Sequence, residues 1–131
     1  MASLIKLSFI TLLLGGCSLL SVSHFDPNEQ AQIVTVVQLS HNKAMCEDAA
    51  KAAALSAQIA QTTGWLRLYS QDIPNNGPMQ TMTQQLDDSA AEFRDRYTKA
   101  PPPGRLYCEI KLNNIMTMAN TMREVSARRP R

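Results

Sequence analysis

Apolar residues in this chain recur at steps of three, four and seven. Those steps place apolar side chains on one face of an α-helix. The first helix starts at Asp26-Pro27-Asn28-Glu29. There Asp26 can accept from free amides, Pro27 suits the first helical position, and Glu29 stands where a capping box needs it. No proline follows until Pro74, and Ala44–Ala60 holds eight alanines, the best helix-forming residue. Met45, Ala52, Ile59 and Leu66 recur every seven residues, with Leu55, Thr62 and Tyr69 as partners. The run Ile33-Val34-Thr35-Val36-Val37 is β-branched and could pass for a strand, but it lies between a cap and this strong helix former with no turn residues to separate them, and reads as helix. The pattern therefore predicts one long helix from Pro27 to about Tyr69.

Gln71–Pro78 contains Pro74, Asn75, Asn76 and Gly77 and reads as a turn. A second helix is predicted from about Met79 to Lys99, with Met79, Met82, Leu86, Ala90, Phe93 and Tyr97 as its stripe. Pro101-Pro102-Pro103-Gly104 cannot continue it. A third is predicted from Arg105 to Ala127, with Cys108, Leu112, Ile115, Ala119 and Met122 on one face. The expected fold is all-α: a long N-terminal helix and two shorter ones in a small three-helix bundle. Its lower part, from Pro27 to about Lys43, would stand free as a stalk. Residues 128–131 form a basic tail, with Arg128, Arg129 and Arg131 available to anionic lipid heads or cell-wall polymer, or simply solvated.

The N-terminal segment follows a different logic. Lys6 precedes an apolar run, Leu7–Leu14, too short for a transmembrane helix of roughly 20 residues. Its size and order are those of a signal peptide. The run ends in Leu14-Gly15-Gly16-Cys17, which resembles the lipobox of bacterial lipoproteins. The resemblance implies removal of residues 1–16, acylation of Cys17, and a tether over residues 17–26. Ser18 in place of an Asp after the cysteine implies, by the same resemblance, an outer-membrane destination facing the periplasm. Several acyl chains, at about 0.8 kcal/mol per buried CH₂, make a permanent anchor.

Such export changes the reading of the cysteines. With Cys17 lipidated, Cys46 and Cys108 remain as an even pair in an oxidising compartment. Folding the second helix back along the first, at 1.5 Å per residue, brings Cys108 near the height of Cys46. A disulfide between them is expected on both grounds.

Thirteen basic residues against 11 acidic give no case for a nucleic-acid partner. His24 and His41 lie in no metal-binding spacing, and no nucleophile-elbow or phosphate-loop motif is present. Glu47-Asp48 and Asp87-Asp88 are adjacent on their helices and point apart, which makes them poor acid/base pairs. No enzyme activity, metal or cofactor is expected. The methionines could serve Cu(I) as soft thioether ligands, but their helical spacing fits core filling. Ile33, Val34 and Val37 on the stalk, with Trp65 near the turn, are the candidate partner-binding residues, for another protein or for self-association. The expected role is a membrane-anchored envelope lipoprotein acting through protein contacts. Its design is also similar to small lipoproteins of phages and mobile elements, spanin subunits and exclusion lipoproteins among them, although spanins are shorter and richer in proline. A small-ligand or copper-binding helical module is the other alternative.

Overall fold

The computed structural model describes residues 23–131; the leader, Cys17 and the first part of the tether lie outside the described residues. Four α-helices follow one another: α1 (Pro27–Ser40), α2 (Ala49–Asp72), α3 (Gly77–Arg96) and α4 (Arg105–Ala127), with a 3-10 turn at Lys43–Glu47 between the first two. Each helix packs on the next, and α1 closes the ring against α4, its most extensive neighbour. The result is an up-down-up-down four-helix bundle, not the three-helix bundle with a stalk that the periodicity suggested.

The single long helix is broken at Ser40–Asp48. Ser40 donates its hydroxyl back to the Val36 carbonyl at 2.8 Å, and His41 closes α1 as its C-cap. Asp48 then adopts an extended backbone and caps α2 by accepting from the Lys51 amide at 2.9 Å. The break lets α1 reverse and run antiparallel to α2. Ile33, Val36 and Val37 are thereby buried by their own chain, while Val34 is half-buried. The apolar patch expected to stand uncovered is one wall of the core.

The other elements follow the pattern closely. α4 has the expected bounds, and its stripe of Cys108, Leu112, Ile115, Ala119 and Met122 is buried. α3 begins and ends two or three residues earlier than expected, with Met79, Leu86, Ala90 and Phe93 buried and Met82 and Tyr97 half-buried. The heptad reading holds inside α2, where Ala52, Ile59 and Leu66 are buried. The turn between α2 and α3 reverses through Asn75 at φ 57°, a left-handed conformation that asparagine tolerates better than most residues.

Cys46 and Cys108 form a disulfide, with their Cα atoms 5.6 Å apart. It ties the 3-10 turn to the first turn of α4 at one end of the bundle. Arg105 reinforces the same end with ion pairs to Glu109 at 2.6 Å and Glu47 at 3.5 Å, both solvent-exposed and worth little individually. Among the described residues, no helix is long and apolar enough to cross a membrane.

Candidate functional site

Ser23, the start of α1, the α2–α3 turn and the end of α4 meet at the end of the bundle opposite the disulfide. We call this end the base. Glu29, expected to complete a capping box, turns inward here and is completely buried. Capping falls to Asp26 alone, which accepts from the amides of Asn28 and Glu29, both at 2.9 Å.

The buried Glu29 carboxylate is fully partnered. Arg129 Nη1 donates to Oε1 at 2.7 Å, while Ser70 Oγ and Asn76 Nδ2 donate to Oε2 at 2.7 and 2.9 Å. Asn76, itself buried, accepts on Oδ1 from Arg129 Nη2 at 2.5 Å and from Ser23 Oγ at 3.2 Å. The Phe25 amide donates to the Pro130 carbonyl at 2.8 Å, and the Arg131 guanidinium lies 5.3 Å from the centre of the Phe25 ring. Of the tail, Arg128 is exposed and Arg131 rests on Phe25, but Arg129 belongs to the interior. This clasp was not visible in the sequence. Glu29, Asn76 and Arg129 lie far apart along the chain, and each has an ordinary local explanation as cap, turn and tail residue.

Beside the base, α1 and α2 leave an open groove of about 580 Å³, lined by Gln32, Thr35, Thr62, Trp65, Leu68, Tyr69 and Asp72. Trp65 is 64% exposed and Leu68 51%. Tyr69 is held from the other side, its hydroxyl donating to the Asp26 carboxylate at 3.1 Å. An indole and a leucine standing in solvent three residues apart on a rigid helix form an apolar surface that contributes nothing to this chain's own core.

Of the partner-binding candidates from the sequence, Trp65 is thus on the surface, while Ile33 and Val37 are enclosed by their own chain. His24 and His41 are exposed near opposite ends of α1. Both carboxylate pairs have structural partners. Asp48 caps α2, and Glu47 faces Arg105. Asp87 pairs with Arg67 at 2.7 Å and accepts from Thr63 at 3.0 Å, while Asp88 accepts from Gln84 at 2.8 Å. Among the described residues, no three of His, Cys, Asp and Glu come together as metal ligands.

No family model matches the chain, and no match was found among curated proteins or solved structures.

Proposed function

We propose that this chain is a non-enzymatic lipoprotein of the bacterial envelope, held by acylated Cys17 at the outer membrane on its periplasmic side, whose helical bundle acts through protein contacts. The observation that carries the contact role is the exposed pair Trp65 and Leu68 beside an open groove. Aromatic anchors of this kind dominate binding energy at protein interfaces. The anchor rests on Leu14-Gly15-Gly16-Cys17 behind a charged, apolar leader.

The two parts are linked by distance. Six residue steps separate Cys17 from Ser23, a span of at most about 20 Å. Ser23 is fixed in the clasp at the base, so an acylated Cys17 would hold the base and its groove close to the membrane surface. The partner is therefore an envelope protein presenting an apolar segment near the membrane. Asp72 in the lining of the groove favours a basic residue beside that segment.

The test has two arms. Cys17→Ser should accumulate as uncleaved precursor or pass into the soluble fraction. A photo-crosslinking residue placed at Gln61, on the exposed face of α2, should give one discrete adduct in cells, lost on Trp65→Ala with the melting temperature retained. Unchanged membrane partition of Cys17→Ser together with a mature-size product rejects the anchor. An adduct unaffected by Trp65→Ala rejects the contact surface.

A further inference from the structure

The α3–α4 interface holds a second feature, independent of the groove. Met118 and Met122 lie four residues apart on α4, hence on one face. Met82 faces them from α3. The antiparallel register of the two helices is fixed by the Lys111–Glu92 ion pair at 2.8 Å and by Phe93 against Tyr107, ring centres 6.3 Å apart. All three methionines line one pocket of about 200 Å³, whose remaining walls are Gln85, Thr117 and Thr121. Met122 is buried, whereas Met82 and Met118 are half-buried.

We propose that this pocket binds a soft monovalent d¹⁰ metal ion, Cu(I) or its analogue Ag(I), through the three thioethers. The chemistry of the lining selects that class. No carboxylate, imidazole or thiol faces the pocket, so hard cations and Zn²⁺ lack their preferred ligands. The hydroxyl hydrogens beside the sulfurs turn away to backbone carbonyls. Thr117 donates to the Asn113 carbonyl at 2.9 Å and Thr121 to the Thr117 carbonyl at 3.1 Å. The three thioethers are thus the soft donors of the pocket, beside hard oxygens of Gln85, Thr117 and Thr121 that suit a d¹⁰ monovalent ion poorly. Leucine and isoleucine fill neighbouring positions of the same two helices completely, at Leu86, Leu112 and Ile115. Where three methionines meet, the interface is open instead of sealed. Neutral ligands leave the ion's charge uncompensated, which fits reversible loading better than a structural metal.

The probe is Ag(I) in chloride-free buffer, applied to purified protein carrying Cys17→Ser. With Cys46 and Cys108 paired, that background has no free thiol. Native mass spectrometry should show one silver ion per chain. In spectra of ¹³C-methyl-labelled methionine, the ε-methyl signals of Met82, Met118 and Met122 should shift together, while those of Met45 and Met79 stay in place. Met82→Leu and Met118→Leu nearly conserve volume and should keep the fold, each lowering silver affinity at least tenfold. Met45→Leu should leave it unchanged. Absence of bound silver, or silver that shifts other methionines instead, overturns the proposal even if a variant proves unstable, because the methyl measurement uses the unsubstituted pocket.

Discussion

Arg129 donates to Glu29 at 2.7 Å across one hundred residues of sequence, and the two side chains are 9% and 0% exposed. The pair joins the last turn of the fold to the first. A buried pair of this kind adds little net stability over a well-packed apolar pair, but removing one partner strands the other charge, at a cost of about 3–5 kcal/mol. Arg129→Ala should therefore lower the melting temperature by more than about 10 °C in a domain of this size. Changing both residues to Leu should cost less than changing Arg129 alone. Thermal unfolding of the two variants decides this: equal losses from the single and the double change would mean that removing Arg129 leaves no stranded charge on Glu29.

The disulfide closes the opposite end over a separation of 62 residues. In the chain-entropy model such a loop contributes about 4 kcal/mol. Replacing Cys46 and Cys108 by Ala should lower the melting temperature by roughly 15–30 °C. Thiol titration of the Cys17→Ser protein under non-reducing conditions should find no free thiol, and two after reduction and unfolding.

Two apolar positions, one on α1 and one on α2, should behave in opposite ways. Val37 is 5% exposed inside the core, so Val37→Ser removes buried methyls and buries a hydroxyl, costing about 2 kcal/mol or more. Trp65→Ala takes away an exposed ring and should change stability by less than about 0.5 kcal/mol. Urea denaturation of the two variants measures both. A Val37→Ser protein as stable as the parent would mean that α1 does not pack as described.

Tyr97 provides a pH-dependent case. Its phenol is held above the usual tyrosine range, chiefly by burial, with Tyr107 adding and Arg96 opposing. In the unfolded chain it would ionise near pH 10. Above that value the folded state retains a proton that the unfolded state releases, so Tyr97 contributes stability that declines as pH rises. Its hydroxyl has no hydrogen-bond partner among the described residues. Tyr97→Phe should be neutral or slightly stabilising at pH 7, and should make the loss of stability between pH 9 and 11 shallower. An unchanged alkaline slope would place the titrating group elsewhere.

The sequence by itself determined the elements governed by local chemistry. The stripe of α4 at steps of three and four, the proline run before it, and the turn around Asn75 fix where those helices lie, because periodicity and backbone restriction act within a few residues. The disulfide was also legible, since only two cysteines remain once Cys17 is set aside, and helix lengths alone bring them level.

Tertiary structure decided the rest. Ala44–Ala60 has the propensity to continue a helix from Val37, yet the chain breaks at Ser40–Asp48 because reversing there buries Ile33, Val36 and Val37 against α2 and α4. Local signals for that break existed in Ser40, Asn42 and Asp48, each of which can bond its own backbone, but their weight depended on burial gained far away along the chain. The same holds for Glu29, which local rules assign to a cap. Its true partners, Ser70, Asn76 and Arg129, arrive only when three helix ends converge, and a buried carboxylate takes whichever donors the fold supplies. The grouping of Met82 with Met118 and Met122 is likewise a matter of register between two helices, which no single helix can specify.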